Sequence, residues 1–187
     1  MALSFVFAEG PADCISFVSP DPAPATKPGP RRPPAGPSPE ELARRVFERV
    51  ISLAPRPSIS VAPARVGLTG LESFFWVGDD LAPVTAEAQA PGLTVTAEAR
   101  PVRYRWDFGD GAGEETAHPG RPWTPRRPGD VGHLYETKGG YTVTVEAVWA
   151  ARWRVNDGPW RALGYFETSG SLDYPVREMV AVLVHRR

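Results

Sequence analysis

With 187 residues, 42% of them hydrophobic and 23% charged, the chain has room for one ordinary domain plus a linker and enough apolar side chains for a packed core, which excludes disorder throughout. The 21 Lys and Arg against 22 Asp and Glu leave a formal charge of −1, too weak a field to steer the chain toward nucleic acid or anionic lipid. The single cysteine, Cys14, excludes an internal disulfide and a cysteine-based zinc site, so stability must come from packing.

Residues 1–18 contain two apolar runs, 3–8 and 15–18. No basic stretch precedes them, the first is too short for a signal peptide, and Glu9 and Asp13 separate it from the second. Asp13 before Cys14 argues against a lipoprotein cleavage site and leaves Cys14 an idle thiol. A start further upstream that supplies an export signal stays open. No stretch reaches the ~20 apolar residues of a membrane helix, so no transmembrane segment is expected. Residues 19–38 are crowded with proline and too poor in apolar side chains to offset the entropy of ordering them, and read as an extended, partly polyproline-II spacer. A coil pinned to a domain surface and an SH3-type ligand at 28–37 are the alternatives.

Residues 39–54 are expected to form an amphipathic helix. Ser38 and Glu41 have capping-box spacing, and Pro39 occupies the first helical position, where a missing N–H costs nothing. Leu42, Val46, Val50 and Leu53, with Ala43, Phe47 and Ile51 beside them, make a stripe at helical spacing opposite Arg44, Arg45, Glu48 and Arg49. Such a stripe requires a partner surface, either the domain's own sheet or another protein or membrane.

From Arg56 onward the period is that of strands. Apolar residues alternate over 93–98; Val102, Tyr104, Trp106 and Phe108 alternate with Arg103, Arg105 and Asp107; and Tyr141, Val143, Val145, Ala147 and Trp149 alternate with Thr142, Thr144 and Glu146. Further strands are expected at 58–61, 74–77, 84–88, 152–155, 164–168 and 177–184, the last apolar on both faces. Seven or more short strands indicate an all-β sandwich, with a barrel as competitor.

Tyr104-Arg105-Trp106-Asp107-Phe108-Gly109-Asp110-Gly111, then His133-Leu134-Tyr135, then Gly140-Tyr141-Thr142-Val143-Thr144-Val145 resembles the three-part signature of the PKD (polycystic kidney disease) domain family. The resemblance implies an immunoglobulin-like β-sandwich over 56–187, and the Ala, Arg, Pro and Gly usage is similar to that of PKD-bearing surface proteins of high-GC bacteria. Each element also has a physical task. Trp106 would fill the sandwich, Gly109 and Gly111 permit positive φ in a sharp turn, Asp107 and Asp110 can accept amides across it, and Tyr135 can anchor a crossing between sheets through its hydroxyl. His133 and Tyr141 complete the motif as packing residues.

Two features depart from the family pattern: the N-terminal part of the sandwich matches poorly, and a long loop is inserted at 112–132. That loop carries Trp123 beside Arg126 and Arg127, and loops of this length are commonly functional or disordered. Trp123, Arg126, Arg127 and Trp160 are the candidate binding residues. Trp76, Trp106, Trp149 and Trp153 fall on strand positions and are expected in the core. Some PKD domains of secreted hydrolases bind calcium, which makes Asp107 and Asp110 metal candidates; the spacing matches no EF-hand loop, and no metal or other cofactor is expected. No nucleophile elbow or phosphate loop is present and the three histidines, His118, His133 and His185, lack helical metal spacing, so an enzyme is not expected; one would require a site built from Glu114, Glu115 and His118. The expectation is a non-catalytic structural or protein-interaction module, extracellular or at the cell surface, whose partner is another surface protein or a polysaccharide and not nucleic acid. A carbohydrate-binding or substrate-presenting accessory domain that uses Trp123, with Trp160, is the alternative.

Overall fold

Residues 36–79 and 81–179 are described by a computed structural model, and their first element is the helix. α1 spans Pro39–Leu53. The Ser38 hydroxyl accepts from the Glu41 amide at 3.2 Å, and the Glu41 carboxylate accepts from the Ser38 amide at 2.8 Å, which closes the capping box. Leu42, Ala43, Val46 and Val50 are buried, while Ile51 and Leu53 at the C-terminal turn remain exposed. Segment 1–18, Cys14, all but the end of the 19–38 spacer, and residues 180–187 with His185 lie outside the described residues.

Nine strands come after it: β1 (Ile59–Ala62), β2 (Gly67–Leu68), β3 (Glu72–Val77), β4 (Val84–Ala90), β5 (Leu93–Asp107), β6 (Gly113–Thr116), β7 (Gly132–Leu134), β8 (Gly139–Val155) and β9 (Arg161–Arg177). They form an immunoglobulin-like sandwich. A small sheet has the order β1-β3-β7; a large one has the order β2-β9-β8-β5-β4, with β6 paired to β5 beyond the end of β4. The sequence divides β5 into two strands, 93–98 and 102–108, because a bulge resets the alternation; it divides β8 as well, although the inward positions there keep one alternation from Val143 to Trp153. In β5 the register shifts between Pro101 and Arg103, so Val95, Ala97 and Ala99 face inward before it and Tyr104 and Trp106 after it. In the β8–β9 pair the shift comes after Ala151, opposite Gly164 with φ +141°.

Most of the expected strand at 177–184 lies outside the described residues. β9 ends at Arg177, and Glu178 and Met179 are not strand. The closing strand begins at Arg161 and carries Thr168 and Gly170 at inward positions, where apolar side chains would advertise a strand. Gly170 is required there: a Cβ would collide with the carbonyl oxygen of Pro57, because the link from α1 to β1 crosses directly over it.

That crossing divides one continuous inner face between two covers. On one side α1 packs on β4 and β5 and reaches β8 and β9, with Phe47 edge-on to Phe166 at 6.0 Å. On the other the small sheet presents Phe75, whose ring lies 5.5 Å from Phe108 and 5.6 Å from Tyr174. The helix stripe is therefore taken up by the chain's own sheet. The expected loop at 112–132 is also more ordered than its length suggests. Gly113–Thr116 is strand, and the chain then borders β3, where Val77 N–H donates to Pro119 and Phe75 N–H to Val131 at 2.7 and 2.8 Å. Trp76, expected in the core, points to the outer side of the small sheet and is half-buried, whereas Trp106, Trp149 and Trp153 are buried.

Candidate functional site

The signature residues are occupied with one another. Gly109, at φ +82°, lies so close to the neighbouring strand that a Cβ would sit 2.7 Å from the Thr142 carbonyl oxygen. Asp107 accepts the Gly109 amide at 2.8 Å, and Asp110 accepts the Ala112 amide at 3.1 Å. The other Asp110 oxygen lies 2.7 Å from His133 Nε2, and the His133 ring stacks on Phe108 at 4.2 Å. Burial opposes the Asp110 charge, but the His133 and Ala112 hydrogen bonds outweigh it and hold the carboxyl below its ordinary range. Tyr135 is fully buried and its hydroxyl donates to the Phe108 carbonyl at 3.0 Å; burial pushes that hydroxyl's pKa well up. Tyr141 stacks on Tyr135 and donates to the Thr137 carbonyl, and the Trp106 indole N–H donates to Thr116. Gly111 completes the turn at φ +91°.

Asp107 and Asp110 thus spend carboxylate oxygens on amides and an imidazole, and the described residues hold no cluster of three or more metal-binding groups. The arrangement does not fit calcium, which takes six or more oxygens. Glu114 and Glu115 are neighbours on β6 and so point to opposite faces. Glu115 pairs with Arg103 and Arg105, while His118 faces Asp130 at 3.9 Å. Burial, then the nearby Asp130 charge, raises the Glu114 carboxyl. The three do not converge on one point.

Trp123, 41% exposed, borders a hollow of about 180 Å³ with Ala62, Pro63, Glu72 and Phe74 on the small sheet. Arg126 and Arg127 sit at the exposed tip beside it, in a turn closed by Thr124 and Arg127. Trp160 lies elsewhere, on the outer side of the large sheet. Its ring is covered by the guanidinium carbons of Arg152 at 4.4 Å and Arg154 at 4.9 Å from its centroid, so it is a support for cations more than a free platform. Trp123 and Trp160 line separate hollows.

The hollow at Trp160, about 280 Å³, contains a residue that the sequence reading passes over. Tyr165 is 70% exposed. Arg100 on β5 pairs with Ala150 on β8, and Ala150 with Tyr165 on β9, so all three project from the same side of the sheet. Arg100 and Tyr165 stand two strand spacings apart, roughly 10 Å, across an alanine floor. Glu98 lies two residues away and accepts from Arg152 at 3.0 and 3.2 Å. The signal was available: Phe166 must face inward beside Trp149, so its neighbour Tyr165 must face out.

A two-layer β-sandwich in which a W-D-F-G-D-G turn is locked by a histidine and a buried tyrosine hydroxyl is an immunoglobulin-like module. Residues 80–160 match the family model of the PKD domain, which supports the resemblance carried by the signature residues. The matched span takes in β4 to β8, leaving α1, β1 to β3 and β9 outside it. No curated protein matches the chain. Among the described residues no helix is long and apolar enough to cross a membrane.

Proposed function

We propose that the chain is a non-catalytic module that works outside the cell or at its surface by holding a partner, a polysaccharide or another surface protein, on the outer side of its large sheet. The observation that supports this reading is the exposure of Tyr165 beside the hollow over Ala150, on a sheet face that no helix or strand covers among the described residues. Burying a tyrosine ring is among the larger gains an interface can make, and exposed aromatic rings beside arginines are typical anchors. Co-sedimentation of the full chain with isolated cell walls and insoluble polysaccharides tests it. Retention should be lost in Tyr165→Ala; undiminished retention in that variant would remove this face from consideration.

The Trp123 hollow supports a second reading, an accessory domain that presents carbohydrate or peptide. Trp123 and Phe74 form its aromatic wall, with Arg126 and Arg127 nearby. Trp123→Ala, run beside Tyr165→Ala, separates the two faces: the variant that loses retention marks the one in use.

A further inference from the structure

We propose that the Tyr165 hollow binds an acidic polysaccharide of the uronic-acid type, its sugar ring lying on Tyr165 and its carboxylate on Arg100. This deepens the surface-binding reading above and rests on it.

Charge favours an anion. Arg152 has Glu98, but Arg100 and Arg154 have no carboxylate partner among the described residues. Further along the same face the balance is opposite, with Arg103 and Arg105 engaged by Glu115, Glu146 and Glu167. The cations at the hollow are also held in place before any ligand arrives. Arg152 and Arg154 lie against Trp160. The Nε atoms of Arg152 and Arg154 are buried without an acceptor, so packing on Trp160 orders both side chains, and Glu98 adds hydrogen bonds to Arg152 alone. Pre-ordered guanidiniums lose less entropy on binding.

The shape favours a sugar over a peptide. Ala150, Ala162 and Gly164 give the hollow a floor with no side-chain hydrogen-bonding group. A peptide laid there would leave backbone amides and carbonyls facing methyl groups, at the cost of unpaired polar groups. A pyranose ring presents a C–H face to such a floor and to the tyrosine ring, and carries its polar groups around the rim. The rim holds what those groups require: Glu98 to accept from hydroxyls, and Arg100 to receive a planar carboxylate with two parallel hydrogen bonds.

The test is affinity electrophoresis of the full chain in gels containing polygalacturonate, dextran sulfate, polyglutamate or neutral dextran. Polygalacturonate should retard the chain most, with a retardation that weakens as salt rises. Tyr165→Ala and Arg100→Ala should each weaken it by about tenfold or more, Arg100→Lys should fail to restore it, and Arg105→Ala should leave it unchanged. These side chains are exposed, and circular dichroism checks that the variants fold. Equal retardation by polyglutamate would overturn the sugar component. Equal retardation by neutral dextran, or by dextran sulfate alone, would overturn the carboxylate component. Retention on cell walls through Tyr165 without binding to polygalacturonate would sink this inference and leave the surface-binding reading standing, whereas no retention on any matrix would sink both.

Discussion

The two ends of the large sheet solve different problems with the same strands. At the signature end the inner side is closed by the small sheet through Phe75, Phe108, Tyr135 and Tyr174, and on the outer side Arg103 and Arg105 are matched by the three carboxylates of Glu115, Glu146 and Glu167. At the helix end α1 replaces the second sheet, and the outer side leaves Arg100 and Arg154 without carboxylates near an exposed tyrosine. The family signature spells the first end, where its polar groups are spent on holding the turn. The groups free to meet a partner lie at the other, so a motif that identifies a fold need not mark the working surface.

The largest expected effect tests whether the two ends are one folding unit. Trp149 is fully buried, stacks on Phe166 and donates to Thr168 close to the Pro57 crossing. Trp149→Ala should cost about 3–5 kcal/mol in denaturant unfolding while keeping a single transition. Two separated transitions would mean that the helix end and the signature end unfold independently.

Next comes the lock at the signature end. Tyr135→Phe leaves the Phe108 carbonyl without its buried donor and should cost about 1–3 kcal/mol, with no loss of retention on polysaccharide. Acid should act at the same place. Asp110 titrates lower in the fold than in the unfolded chain, so its contribution is complete above the ordinary aspartate range and fades as pH falls through its folded value. Asp110→Asn should flatten that acid limb in a pH series of unfolding curves. Glu114, raised by burial, has the opposite sign: its contribution fades as pH rises through its folded value. An acid limb that persists in Asp110→Asn would assign it to other carboxylates.

The same contrast explains what could be read in advance. The helix, its cap and the motif were legible because each rests on neighbours in sequence: Ser38 with Glu41, Asp107 with Gly109, Asp110 with Ala112. The tyrosine hydroxyl bond to Phe108, 27 residues away, was anticipated in kind through the family signature. What stayed hidden depends on chain segments meeting. Gly170 reads as a break in a strand until Pro57 is placed over it, and β5 reads as two strands until the Pro101 bulge is seen to reset one. The hollow requires Arg100, Ala150 and Tyr165 in one row, and no local pattern encodes the register that aligns residues 50 and 15 positions apart. Trp160 is a candidate binding residue by sequence, although its ring is taken by arginines.

The smallest effect bears most directly on the outer face. Arg105 has three carboxylate partners, Glu115, Glu146 and Glu167, with the nearest oxygen at 2.8 Å, and the Glu167 charge is the main cause of its raised pKa. So many partners would ordinarily suggest a large contribution to stability. All of these side chains are more than 40% exposed, however, and water screens such pairs while holding long side chains together costs entropy. Arg105→Ala should therefore leave the unfolding midpoint unchanged within error and leave ligand binding intact, whereas Arg100→Ala should match it in stability and differ in binding. A clear destabilisation by Arg105→Ala would show that the ladder carries part of the sheet's stability. A loss of binding would extend the ligand's path along the sheet into the signature end and erase the division between the two halves of this face.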